Sequence, residues 1–202
     1  MPNYEQHFIE WFSGKQTHSY WTTSQGSGSG GYATMTDVVD GGLEISSGSG
    51  SNNNFYLLFA NSKTPFIHTG CTQIAVWKDI VSSSPKNVGC GFSATGGTGN
   101  NSCFIKAAPT ISSTFSCATR QTSSTHTASS VTLDTEYHTF KLDLKSASID
   151  YYIEDVLEVT RTTQLPIASL SPLAYGDDSA SPSAKMRIKY MECFNTWPFF
   201  LN

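Results

Sequence analysis

Two stretches of the chain set an aromatic ring beside carboxylates in a strand-like context, an arrangement suited to holding a sugar. The ring stacks on the apolar face of a pyranose, and the acidic groups take its hydroxyls. In Gln73-Ile-Ala-Val-Trp-Lys-Asp79, period-two alternation puts Ile74 and Val76 on one face and Ala75, Trp77 and Asp79 on the other. With Ile74 and Val76 toward the core, Trp77 and Asp79 project outward, and a Trp among polar neighbours makes a stacking platform. The second stretch is Tyr175 with Asp177 and Asp178 at a strand end, able to bind a sugar or a cation. Calcium needs clustered oxygen donors, and Asp40, Asp177 and Asp178 are the acidic residues that could supply them.

Other catalytic patterns are missing. There is no G-x-S-x-G nucleophile elbow, no H-E-x-x-H, and no phosphate-binding glycine loop with its lysine. His138 lies in a strand-like run, where a structural hydrogen bond is its expected role. His68 and His126 fall in turn-rich segments and are expected to be exposed. Glu154-Asp155-Val-Leu-Glu158 reads as a turn carrying solvated charge.

The elements that must position these residues are all strands. No helical periodicity is present. Strand-like runs recur at 7–12, 33–37, 43–46, 55–60, 73–80, 88–93, 103–107, 114–119, 129–133, 137–145, 149–153, 156–162, 173–177 and 185–193. Gly/Ser/Asn/Pro clusters separate them, as at 26–31, 48–54, 82–85 and 96–101. Phe140, Leu142 and Leu144 alternate with Thr139, Lys141 and Asp143, and Ile149, Tyr151 and Ile153 alternate with Asp150 and Tyr152. One apolar face per strand predicts two sheets packed face to face.

Composition bounds the function. With 202 residues the chain suits one all-β domain, spanning 1–202, with 194–202 as an apolar tail. Only 14% of residues are charged, and Ser, Thr, Gly and Asn supply the polarity. The net charge is −4 with no basic run, so no nucleic-acid partner is expected. No apolar run is long enough for a membrane span, and the N-terminus has no signal-peptide pattern. Cys90, Cys103 and Cys117 fall in apolar runs and read as buried thiols, with one cross-strand disulfide among them as the alternative. In the tail, Trp197, Phe199, Phe200 and Leu201 would associate in water, which predicts self-docking or a homo-oligomer contact.

Particular motifs resemble the concanavalin A-like lectin/glucanase superfamily. Tyr137-His-Thr-Phe-Lys141 is similar to its W/Y-H-T-Y/F strand. Tyr152-Ile-Glu-Asp-Val-Leu157 is similar to its hairpin, and Met186-Arg-Ile-Lys-Tyr-Met-Glu192 to its closing strand. Phe8 to Phe12, Tyr20-Trp-Thr-Thr23 and Asp40-Gly-Gly-Leu-Glu-Ile45 match the opening segment. The resemblance implies an all-β jelly-roll sandwich of two antiparallel sheets, with a cleft formed by the concave sheet and its rim loops. It also admits a calcium ion. Two departures stand out. The hairpin turn is Glu154-Asp155 where the family has Asp-Gly or Asn-Gly, which predicts a longer or different turn. The glucanase strand E-x-D-x-x-E, which supplies the carboxyl pair for retaining hydrolysis, corresponds to Ser102-Cys-Phe-Ile-Lys106, which has no carboxylate.

The expectation is therefore a non-catalytic, lectin-like surface module that binds a glycan or polysaccharide. A virion or cell-surface protein, exposed outside the cell, is its expected setting. The binding residues would be Trp77, Asp79, Tyr175 and Asp177. A structural capsid or fibre protein is one alternative, and a divergent polysaccharide hydrolase or lyase is another.

Overall fold

Alternation of apolar and polar side chains becomes strand through most of the described residues. The computed structural model describes residues 7–12, 21–25, 34–37, 41–47, 54–59, 66, 69–80, 86–95, 99–178 and 184–195. Among them there is no helix. The strands are β1 (His7–Trp11), β2 (Trp21–Gln25), β3 (Thr34–Asp37), β4 (Leu43–Ser46) and β5 (Asn54–Phe59). Next come β6 (Cys71–Asp79), β7 (Lys86–Ser93), β8 (Ser102–Ala107), β9 (Thr114–Arg120) and β10 (Ser124–Thr132). The last are β11 (His138–Leu144), β12 (Ile149–Ile153), β13 (Val156–Arg161), β14 (Ser171–Asp178) and β15 (Lys185–Asn195).

They form two antiparallel sheets. One has eight strands in the order β13-β12-β11-β6-β15-β4-β3, with β1 also paired to β15. The other has seven, in the order β10-β9-β8-β7-β14-β5-β2. The core lies between them. Phe140, Leu142 and Leu144 enter it from β11, and Ile149, Tyr151 and Ile153 from β12, all at 2% exposure or less. Each such side chain contributes roughly 1.5–3 kcal/mol by leaving water.

Two buried hydrogen bonds cross the core and fix one sheet over the other. The Gln73 amide on β6 donates to the Gly91 carbonyl on β7 at 2.9 Å. The Tyr151 hydroxyl on β12 donates to the Ala118 carbonyl on β9 at 2.8 Å. At the open edge, Arg161 of β13 donates to Thr125 and Thr127 of β10. The five cysteines are free and buried, so no disulfide forms among Cys90, Cys103 and Cys117. Burial pushes every one of these thiols up, Cys71 and Cys117 to about 12.

Several local expectations are corrected. β10 begins at Ser124, so His126 is a strand residue and not part of a turn. Glu158 is not merely solvated: its carboxylate accepts from the Ser130 amide and hydroxyl, each at 2.7 Å. The β12–β13 turn is neither long nor of another kind. Ile153 pairs with Val156, leaving Glu154 and Asp155 as a two-residue turn with φ of 50° and 62°, as a type I′ turn requires. Tertiary bonds hold Glu154 there. Its carboxylate accepts from the Thr139 amide at 3.0 Å, and its own amide donates to the Thr139 carbonyl at 2.9 Å. Among the described residues no such anchor is seen for Asp155, so its left-handed φ is the strained one. Asp155→Gly is expected to stabilise the chain by about 0.5–1 kcal/mol in denaturant unfolding. An unchanged or lowered midpoint would show that the turn is not strained.

Candidate functional site

The site follows from which face of β8 is turned outward. Cys103 and Ile105 point into the core, so Ser102, Phe104 and Lys106 lie on the outer face of the seven-stranded sheet. Strand register extends them into rows across β14, β7, β8, β9 and β10. One row runs Tyr175, Gly89, Lys106, Ser116, Ala128. The next runs Leu173, Gly91, Phe104, Ala118, His126, and the third Ser171, Ser93, Ser102, Arg120, Ser124.

Gly89 and Gly91 make room on β7. A Cβ on Gly89 would sit 2.8 Å from Cβ of Lys106, and one on Gly91 2.7 Å from the Phe104 ring. Without those side chains, Phe104 packs on Tyr175 at 4.8 Å and, with Leu173, forms a small second core on this face. A groove with a cavity of about 170 Å³ remains over these strands. Asn87, Lys106, Arg120, His126, Tyr175 and Asp177 line it. That volume is below the roughly 300–1,000 Å³ of sites that enclose a whole drug-sized ligand. It suits one unit of a longer chain.

The electrostatics single out Lys106. It is 9% exposed, and desolvation lowers its pKa to about 8 against the opposing pull of the Asp177 carboxylate. His126, at the rim, is lowered to about 4 by desolvation and then by the charges of Lys106 and Arg161. Its Nε2 lies 3.0 Å from the Ser124 hydroxyl. Burial, and then Asp177, push the Tyr175 phenol well above its ordinary value. Near pH 7 the groove therefore holds a proton on Lys106, a neutral imidazole, a neutral phenol and a carboxylate. Strand order puts Asp177 on β14 and His126 on β10, on opposite sides of Lys106 on β8.

Of the residues expected to bind sugar, Tyr175 and Asp177 lie in this groove. Tyr175, at 2% exposure, is floor and not an open stacking surface. Trp77 and Asp79 are elsewhere. β6 presents the opposite face: Gln73, Ala75, Trp77 and Asp79 are buried between the sheets, and Ile74 and Val76 are half-buried outside. Trp77 stacks on Phe140 at 4.4 Å and meets Phe115 edge-on at 5.9 Å. Inside the sandwich the indole gains two aromatic partners, and the Gln73 amide N–H finds the Gly91 carbonyl. His138, near Trp77, lies 3.1 Å from the Glu154 carboxylate and 3.0 Å from that of Asp134.

Asp40 and the tail residues Trp197, Phe199, Phe200 and Leu201 lie outside the described residues, as does the side chain of Asp178. Among the described residues, no three His, Cys, Asp or Glu side chains converge as metal ligands. Asp177, the described member of the expected calcium site, acts electrostatically on Lys106 and raises its pKa against desolvation. Sequence reasoning missed Lys106, Arg120 and His126. The available signal was Lys106 itself, alternating with the apolar Ile105 and Cys103.

Two measurements test this arrangement. Trp77→Ala is expected to destabilise the chain by about 3–5 kcal/mol, as for a large core aromatic; a variant of unchanged stability would return Trp77 to the surface. Lys106→Met is expected to stabilise it. The lysine binds its proton less tightly folded than unfolded, so its penalty is complete below pH 8 and vanishes above 10.5, its ordinary value. The gain should be on the order of 3 kcal/mol at neutral pH and close over that window. A gain independent of pH would place its cause elsewhere.

No family model matches the sequence, and no curated protein does. Solved structures do share the fold. A beta-glucanase of Bacillus licheniformis superposes with a TM-score of 0.68 at 14% identity, covering 95% of this chain and 98% of that one. A beta-1,3-glucanase of Mycobacterium marinum gives 0.69 at 11% identity, covering 92% and 97%. A glycosyl hydrolase family 16 protein of Mycobacterium smegmatis gives 0.68 at 9% identity, covering 92% and 98%. The expectation of a non-catalytic, lectin-like module is overturned. Its stacking platform is in the core, and the structures that share the fold carry the names of glucanases and glycosyl hydrolases. At these identities the likeness establishes architecture: the chain has the antiparallel jelly-roll sandwich that these structures share.

Proposed function

We propose that the chain is a divergent polysaccharide hydrolase working in the groove on its seven-stranded sheet. One observation carries the reading: a desolvated lysine with a pKa near neutrality, standing between a carboxylate and a neutral imidazole. Structural cations are seldom buried like this, and such shifts concentrate at working sites. The names of the fold relatives supply the substrate class, a polysaccharide.

The route is not retaining hydrolysis by paired carboxyls about 5 Å apart. The outward positions of β8 are Ser102, Phe104 and Lys106, and Asp177 is the one carboxylate among the described lining side chains. The groups present support general acid–base catalysis by other residues. Lys106 passes its proton to the glycosidic oxygen as the bond from that oxygen to the anomeric carbon breaks. Water adds to the same carbon and gives its proton to His126. Asp177 keeps Lys106 protonated.

Reducing-end release from a polysaccharide panel tests this. Activity should follow a bell-shaped pH profile, with an acid limb near 4 from His126 and an alkaline limb near 8 from Lys106. Asp177→Asn should move the alkaline limb to lower pH. Lys106→Met should reduce the rate by about 10²–10⁴-fold in a chain more stable than the parent, so misfolding cannot account for the loss. Silence across the panel, or release that persists in Lys106→Met, would remove the reading.

A further inference from the structure

We infer that Gln164 is a positioning residue: it clasps the tip of the β9–β10 hairpin and so holds His126 on the groove. This rests on the reading that His126 acts as the base there. β10 is an outer strand, paired among the described residues to β9 alone. Its first residues bring Ser124 and His126 to the groove. The tip that leads into them, at Thr122 and Ser123, is exposed, so burial does not fix it.

The hold comes from the crossover between the sheets. After β13 the chain passes to β14 of the other sheet, and on the way residues 163–167 meet the ends of β8, β9 and β10. The Gln164 side-chain oxygen accepts from the Thr122 amide at 3.2 Å, the Thr122 hydroxyl at 3.4 Å and the Ser123 amide at 3.2 Å. One further bond reaches the tip, from the Asn101 amide to the Gln121 carbonyl at 3.4 Å. On either side of Gln164 the crossover is anchored. The Thr119 hydroxyl donates to the Thr163 carbonyl at 3.1 Å, and the Ile167 amide donates to the Asn101 side-chain oxygen at 3.0 Å. Gln164 itself has a φ of 54°, a left-handed conformation that a residue with a side chain ordinarily avoids. Backbone held in such a region by its surroundings clusters at working sites. Gln164 is not among the described lining side chains, so it acts through the hairpin and not on the sugar.

His126 reports its own position. The charged groups around it are Lys106 of β8, Arg120 of β9, Arg161 of β13 and Asp177 of β14. Desolvation there, and then Lys106 and Arg161, lower it to about 4, and a ring released toward water returns toward its ordinary value. NMR titration of the His126 ring on the intact chain tests the inference, in Gln164→Met and Gln164→Gly. Met keeps the length and loses the acceptor. Gly loses it and also relieves the left-handed φ, so a misfolded chain cannot explain a result that both share. In both, the His126 midpoint should rise from about 4 toward 6.5, and the Thr122 and Ser123 amides should lose protection from exchange. Gln164→Glu, which keeps acceptor oxygens, should restore that protection. Polysaccharide release should show kcat lowered by about 10²-fold through the displaced base, with KM little changed. A His126 midpoint unmoved in either loss variant would overturn the inference and leave the hydrolase reading standing. A moved midpoint with the parent's kcat would overturn it as well. A moved midpoint in a chain whose parent cleaves no polysaccharide would remove the hydrolase reading and leave the clasp.

Discussion

Trp77 lies nearly flat on Phe140, with 23° between the rings, and edge-on to Phe115 across the gap between the sheets. This contact determines which way the central strands face. Side chains alternate strictly along a strand, so a slip of one residue would exchange inside for outside on every partner. With Trp77 inside, β6 also sends in Gln73, whose amide reaches the Gly91 carbonyl of β7. From the neighbouring strands, Tyr151 reaches the Ala118 carbonyl of β9. Gly91 and Ala118 belong to the groove floor, so the core holds the floor directly.

The groove is a polar exception on that rigid base. Two glycines on β7 leave space above the sheet. Phe104, Leu173 and Tyr175 fill part of it with a small second core, and Lys106 stands beside them. A lysine there opposes folding, since its charge gives up water for the partial compensation of Asp177. The large inter-sheet core can carry that penalty, and the lowered pKa is what the proposed proton donation by Lys106 would use.

Much of the fold was legible in the sequence, because period-two alternation survives in β11 and β12 and the Gly/Ser/Asn breaks punctuate the strands. Alternation divides a strand into two sets of residues without saying which set is buried. In β6 one set held Ile74 and Val76 and the other held Trp77 with the polar Gln73 and Asp79, and only the packing of the opposite sheet decides between them. Glu154 and Asp155 misled for a related reason: local turn preference disfavours them, and a hydrogen bond from Thr139, distant in sequence, overrides it. The groove was half legible. Tyr175 and Asp177 lie close together in the chain and could be read as a pair. Lys106, Arg120 and His126 join them only through the strand order β10-β9-β8-β7-β14, which spacing along the chain does not encode.

The central claim is that a sugar chain is held across the outer face of the seven-stranded sheet. Amide hydrogen exchange on the intact chain, with and without a polysaccharide fragment it binds, tests this most directly. The account predicts new protection at the ends of β8, β9, β10 and β14 and in the segments joining them, with β1, β12 and β13 unchanged. Protection confined to the eight-stranded sheet would contradict it.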